Sequence, residues 1–246
     1  MTMKNQSMKT SIVAFLDFLG YEQLIASMSE DIDKLNDELN KLNAAISEAE
    51  NFITIESFKY KFFTDNLIVS TEIQAHDKGE GPLGNILEAL AMYQLIITSH
   101  GYFIRGGFEA GYNYMDDKIV FGDALIVAHY LESQVACYPR IITGTKLKKL
   151  IKEHSRWYGG FKNTPHNDVL GFASDDLYID YLKGSLMYCD EDYSAIKERV
   201  IKHKEHIERE LARQTEPKIL KKYKWLKEYH NSFCKTVPAY RKIIIS

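Results

Sequence analysis

The chain has 246 residues, 45% of them hydrophobic and 26% charged, with a formal net charge of −3. That length can bury a substantial core, and the slight acidic excess argues against a nucleic-acid partner. No apolar run approaches the ~18 residues of a membrane span, the polar N-terminus lacks a signal-peptide pattern, and Cys137, Cys189 and Cys234 are too scattered for a disulfide scaffold or a CxxC metal site, so a cytoplasmic globular protein is expected.

In "SIVAFLDFLGY" the apolar run 11–16 predicts a buried strand with Asp17 at its end; Gly20 then breaks it, and a short helix runs to about Ser27. From Ser29 a capped helix follows, whose Ile32, Leu35, Leu39, Leu42, Ile46 and Ala49 form a narrow stripe for packing on the chain's own sheet. Residues 52–63 and 66–73 are expected to be strands joined at Thr64-Asp65-Asn66 in a tight hairpin. The polar loop "HDKGEGPLG" leads into a helix from Pro82 to about His100. A second hairpin, "YFIRGGFEAGYNY" with "KIVFG", turns at Met115-Asp116-Asp117; a helix over 122–135, a strand at "YPRIITG" and a basic surface helix at "TKLKKLIKEH" follow. This order predicts an α+β fold, an antiparallel or mixed sheet with helices on one face.

After about residue 156 the texture changes to loop, a short strand at "DDLYIDYL", and two long charged helices over 192–213 and 217–233. The expected division is a domain over 8–156 and a C-terminal strand and helical extension over 157–246 packed on it. The extension carries no candidate catalytic cluster.

The chemistry centres on "KFFTDNLIVS", where a carboxylate and an amide interrupt two apolar flanks. Asp-Asn suits a turn, but a half-buried carboxylate also calls for a cation or several donors. If the first strand lies centrally beside this hairpin, Asp17 and Asp65 meet at one edge of the sheet. Two converging carboxylates repel, and a hard divalent ion such as Mg²⁺ or Mn²⁺ relieves that repulsion. Phe18-Leu19-Gly20-Tyr21, a turn into a helix N-terminus, is placed to receive phosphate.

"FLDFLGY", "FFTDNLIVS", "IRGGFEAG" and "FGDALIVAHYLE…YPRI" fall in the order of the class III nucleotidyl cyclase catalytic domain. With "KYKWLKEYHN" (Lys222 to Asn231), the chain more closely resembles the bacterial pyrimidine cyclases of the Pycsar antiphage system. The resemblance implies a ferredoxin-like sheet and cyclisation of UTP, or less favourably CTP, to a 3′,5′-cyclic monophosphate and pyrophosphate, read by a separate effector protein. It assigns Asp17 and Asp65 to a two-metal site with Mg²⁺ or Mn²⁺, the Phe18 carbonyl to the same metal, the amides of Leu19, Gly20 and Tyr21 to the triphosphate, and Lys61 to the base. It also implies a homodimer whose active sites are shared between chains.

The sequence departs from the purine-using enzymes at Ile126 and Tyr130, where they carry an Asn and an Arg that assist the transition state. Arg105 and Arg140, reaching across the dimer, are the candidate replacements. The alternative is a catalytically inactive relative that binds nucleotide or acts as a scaffold. Elsewhere plainer roles are expected. His203 and His206 should be solvated, Asp116-Asp117 and Asp175-Asp176 should lie in turns, the tyrosine-rich 112–114 should pack on its strand, and Trp225, Tyr229 and Phe233 should seat the last helix.

Overall fold

The first strand, β1 (Lys9–Phe18), is rich in apolar and β-branched residues and occupies the middle of the sheet. The computed structural model describes residues 7–54, 58–74, 78–173, 176–189 and 193–246. Gly20 turns the chain into α1 (Tyr21–Met28), and α2 (Ile32–Thr54) leads to the hairpin β2 (Lys59–Phe63) and β3 (Asn66–Glu72). Then come α3 (Glu80–Ser99), β4 (Ile104–Met115), β5 (Val120–Gly122), α4 (Asp123–Tyr130), a π turn at Leu131–Val135, β6 (Ile141–Thr143) and α5 (Thr145–Trp157). The chain closes with β7 (Leu170–Ala173), β8 (Asp176–Ile179), α6 (Tyr181–Gly184), α7 (Lys197–Arg213) and α8 (Pro217–Thr236).

The strands form one mixed sheet in the order β2-β3-β1-β4-β6-β8-β7, with β5 paired to β4. Among the described residues only the β4–β6 pair is parallel. The α+β class is as expected. β8 pairs with β6, so the sheet runs across the boundary at 156 and 157.

Alternation along β1 sorts its side chains. Ile12, Ala14, Leu16 and Phe18 enter the main core with Leu67 and Val69 of β3, and α2 and α3 add to the same core. Val13, Phe15 and Asp17 point to the other face. Layering departs here from helices on one face, because α4 lies on this second side. Phe15 meets His129 edge-on with centroids 4.9 Å apart. Gly107 admits the helix: any Cβ there would strike the Ala128 carbonyl and Leu131.

Three local expectations are corrected. Residues 52–54 end α2 instead of starting a strand, and the α2 stripe is buried at Leu42, Ala45, Ala49 and Ile53 while Ile32 and Leu39 are exposed. His203 is 0% exposed, because α7 turns it inward between α3 and α8; His206 is partly buried. Asp176 opens β8 and pairs with Arg140 at 2.8 Å, while Asp175 lies outside the described residues. Asp116 caps its own turn, accepting from the amides of Lys118 and Ile119 at 2.8 and 2.9 Å. Tyr112 is exposed, while Trp225 stacks on Tyr229 at 5.4 Å and Phe233 is buried.

Candidate active site

The side chain of Asp17 leaves the sheet on the face opposite the main core because its neighbours Leu16 and Phe18 enter that core. In the register it lies directly between Asn66 on β3 and Arg105 on β4. Asp65 is next to Asn66, at the tip of a two-residue turn closed by the Phe63–Asn66 pair. Thr64 there has φ 55°, a left-handed conformation that a β-branched residue seldom takes, so the turn is held under strain. The Asp65 carboxylate accepts from Thr64 Oγ1 at 2.9 Å and Asn66 Nδ2 at 3.2 Å. The register thus brings Asp17 and Asp65 to the same end of the same sheet.

Arg105 donates from Nη2 to Asp17 Oδ2 at 3.3 Å and forms an ion pair with Glu132. The buried Glu132 comes from the π turn after α4 and was not among the residues singled out from sequence. Its signal was a single acid ending the apolar run "ALIVAHYL". Burial is the main cause that pushes the Asp17 carboxyl up to about 7; the charges of Glu132 and Asp65 add to it, and Arg105 opposes. The guanidinium touches Asp17 yet does not outweigh its burial and the neighbouring carboxylates. Nε of Arg105 is also buried, with no hydrogen-bond partner among the described residues.

Phe18 is buried, stacked on Tyr102 at 5.8 Å and edge-on to Tyr21 at 6.3 Å. Gly20, at φ 77°, makes the left-handed turn that a side chain would oppose. Gly20 and Tyr21 open α1, whose first amides have no intrahelical acceptor and no side-chain cap. The expectation for Leu19 is corrected: its N–H donates to the Phe103 carbonyl at 2.8 Å, which removes it from phosphate binding. A cleft of about 730 Å³ opens beside this turn, walled by Phe18–Tyr21 on one side and by α7 and α8 on the other.

The remaining candidates lie apart from this cluster. Lys61 pairs with Ile68, which lies opposite Phe15, so it shares the sheet face of Asp17. Its charge is felt at Asp116, which its turn amides and Tyr114 hold at about 2. Arg140 is buried, donates to Asp176 at 2.8 Å, and lies 5.2–5.9 Å from the rings of Tyr138, Tyr178 and Trp225. No described contact joins it to Asp17 or Asp65. Within the chain both guanidiniums are engaged by acids, Arg105 by Asp17 and Glu132 and Arg140 by Asp176.

Among the described residues, no group of three or more His, Cys, Asp or Glu side chains could hold a metal ion. The donor set to be judged is therefore two carboxylates and a carbonyl. Such a set suits Mg²⁺ or Mn²⁺, which bind through one or two protein carboxylates and complete their shells with water and substrate phosphate. The repulsion that Asp65 and Glu132 exert on the Asp17 carboxylate is of the kind a divalent cation relieves. No described helix is long and apolar enough to cross a membrane.

No protein-family profile and no curated protein sequence matches the chain. Among solved structures it is similar to the adenylyl cyclase CyaB from P. aeruginosa, at 20% identity over 72% of this chain and 94% of that one, with a TM-score of 0.46. It is also similar to the guanylyl cyclase Cya2, at 11% identity over 72% and 93% of the two chains, with a TM-score of 0.47. A class III adenylyl cyclase-like ATP-binding protein from Pseudomonas aeruginosa aligns at 13% identity over 66% of this chain and 40% of that one, with a TM-score of 0.47. At these identities and scores the likeness transfers no residue roles.

Proposed function

We propose that the chain is a nucleotidyl cyclase that converts a pyrimidine nucleoside triphosphate, UTP before CTP, to the 3′,5′-cyclic monophosphate and pyrophosphate. The observation that carries this reading is the register of β1 and β3, which sets Asp17 beside the Asp65 turn, with the open amides of Gly20 and Tyr21 following at once. The order of the motifs supports the cyclase class, and their likeness to the Pycsar enzymes supports the pyrimidine and a role for the product as an antiphage messenger sensed by a separate effector.

Asp17, Asp65 and the Phe18 carbonyl would hold a pair of Mg²⁺ or Mn²⁺ ions, which when bound supply Lewis-acid activation of the ribose 3′-hydroxyl and neutralise phosphate charge. In the reaction the 3′ oxygen attacks the α-phosphorus, the bond to the pyrophosphate oxygen breaks, and the hydroxyl proton is released. Gly20 and Tyr21 present amides to the phosphates. Arg105 holds Asp17 in orientation and keeps a fixed guanidinium at the reacting end. Arg140 keeps β6 against β4, where its carbonyl accepts from the Gly106 amide at 3.1 Å. Lys61 addresses the base.

The test is incubation of the purified protein with each of the four NTPs and Mn²⁺, with products identified by mass. Cyclic UMP or cyclic CMP is the expected product, and no cyclic product from any NTP would overturn the reading. Lys61→Ala should change the ranking among the NTPs more than it changes metal dependence. An equal loss with every nucleotide would assign Lys61 to phosphate or folding instead.

The proposed working form is a homodimer. α4 turns its small residues, Ala124 and Ala128, to the sheet and its large apolar ones outward. Ile126 and Tyr130 are 70% and 57% exposed, beside Phe121 at 67% and Tyr112 at 63%. A mainly apolar hollow of about 470 Å³ lies among Met8, Tyr112, Phe121 and Ile126. Unpaired apolar surface of this kind is a docking face, and α4, which carries Ile126 and Tyr130, packs on the sheet face of Asp17. A second copy, two-fold related, would cover it and close the open side of the site. Ile126→Asp is expected to convert the dimer to monomer by light scattering and to abolish cyclisation. An active wild-type monomer would sink the dimer. The inactive nucleotide-binding reading is favoured by one observation, that Ile126 and Tyr130 offer neither a carboxamide nor a guanidinium where purine cyclases use Asn and Arg.

A further inference from the structure

The cleft beside the Phe18–Tyr21 turn has walls from opposite ends of the sequence. One is the turn itself, and the other is the end of α7 and the first turns of α8. The second wall is basic, contributing Arg209, Arg213, Lys218 and Lys222. Two of these cations are already engaged: Arg213 pairs with Glu210 at 2.9 Å and Arg209 reaches the same acid at 3.7 Å.

Lys222 differs from them. It is only partly exposed, and no ion pair is made to it among the described residues. Burial lowers its pKa from the ordinary lysine value, the charge of Arg105 adds to that, and the charge of Asp17 opposes it. It therefore lines the cleft and is also within electrostatic reach of the two residues at the centre of the site. A half-buried ammonium with no ion pair among the described residues is compensated only at a distance, by Asp17 and Glu216, and a phosphate would complete it.

The rest of α8 fixes where Lys222 stands. Tyr223 and Leu226 are buried in a small second core with Phe103 and Ile207. Tyr229 donates to Asp180 at 2.7 Å and accepts from the Leu182 amide at 3.0 Å. A lysine on so firmly seated a helix is organised before any ligand arrives, which lowers the entropy lost on binding.

We infer that Lys222 receives the outer phosphates of a nucleoside triphosphate held at the Phe18–Tyr21 end of the cleft, so that the C-terminal extension completes the site within one chain. This deepens the proposed cyclase reading and rests on it for the identity of the ligand. Arg105 cannot serve the same end of the nucleotide, because Asp17 and Glu132 hold it.

The full-length protein is titrated calorimetrically with inorganic tripolyphosphate and, separately, with inorganic phosphate, alongside Lys222→Gln, Lys222→Met, Lys222→Arg and the control Lys224→Gln, an exposed lysine of α8 outside the cleft. Tripolyphosphate affinity should fall about ten- to a hundredfold in the Gln and Met variants, recover in Lys222→Arg, and stay near wild type in Lys224→Gln. Met fills the volume of the lysine stem, so if one neutral variant fails to fold, the other still measures the loss of the charge. In parallel cyclisation assays, KM for the nucleotide should rise more than kcat falls. Unchanged tripolyphosphate affinity in both neutral variants, an equal loss in Lys224→Gln, or phosphate binding as tight as tripolyphosphate would each overturn the inference. Wild-type cyclisation with indifferent Lys222 variants would remove this role and leave the cyclase standing. Lys222-dependent tripolyphosphate binding without any cyclic product would do the reverse.

Discussion

Asp65→Ala should lower cyclic-nucleotide formation about a thousandfold, equivalent to about 4 kcal/mol of transition-state stabilisation, while leaving the unfolding midpoint close to wild type. The two halves of this expectation have separate causes. Asp65 sits on a two-residue turn, and its described hydrogen bonds are to its immediate neighbours Thr64 and Asn66, so little of the fold depends on it. Its charge, however, is one of those that hold the Asp17 carboxyl up near 7. Removing it deletes a metal donor and relieves Asp17 together. Asp17→Asn should be as damaging to turnover, because it removes the other carboxylate and the partner of Arg105 at 3.3 Å. Near-normal turnover of Asp65→Ala at saturating Mn²⁺ would end the assignment. A comparable fall in its unfolding midpoint would show a structural turn residue and nothing more.

The second large effect concerns acid. His203 and His230 are both 0% exposed, with Nδ1 atoms 2.9 Å apart. His230 Nε2 faces the Ile243 carbonyl at 3.0 Å, which only accepts, so Nε2 carries the proton and Nδ1 must accept. His203 then donates from Nδ1 and accepts the Tyr181 hydroxyl at Nε2, 2.6 Å away. Both rings are neutral in this arrangement, and a second proton on His230 Nδ1 would face the Nδ1–H of His203. Burial, before the charge of the neighbouring ring, drives the His203 pKa well below its ordinary 6.5. Burial also lowers His230, with Lys204 lowering it further and the Ile243 carbonyl and Glu208 opposing. Burial likewise takes His166 to about 4.

Depressed folded-state values mean that the unfolded chain binds protons first. The stability these rings contribute is complete above about pH 6.5 and is lost as pH falls below it. Each ring adds a slope of about 1.4 kcal/mol per pH unit once the unfolded form is protonated and the folded form is not. Denaturant midpoints measured from pH 7.5 to 5 should therefore fall steeply below pH 6.5, and His203→Gln should flatten that slope by about one proton. A profile level down to pH 5.5, or one unchanged in His203→Gln, would contradict the assignment.

These residues mark what a sequence can and cannot disclose. Asp17 and Asp65 were legible because each interrupts an apolar run, and strand alternation with a short turn leaves them few places to go. The α7 and α8 helices were legible from their periodicity, but the direction in which His203 points was not. Its neighbours on α7 are charged, and only the docking of α3 and α8 decides which stripe turns inward. Glu132 was hidden for a related reason: a π turn rotates the chain after α4, so a helical reading points its side chain elsewhere. Leu19 failed at the backbone, since the partner of its amide comes from Phe103, far along the chain. Arg105 and Arg140 look alike in sequence and are separated only by which acid folds against each.

The crossing of the sheet from β6 to β8 has a consequence for how the chain is made. Strand β6 is three buried residues, Ile141, Ile142 and Thr143, and its outer partner ends at Ile179. At roughly 5–20 residues per second of synthesis, the backbone edge of β6 waits about 2–7 seconds before β8 can emerge to cover it. During that interval the nascent chain carries an open, apolar strand edge, the kind of template that recruits other chains. A chain stopped at residue 156 would hold that edge open permanently, and its aggregation beside the full-length protein is the direct measure of how much the returning strands protect.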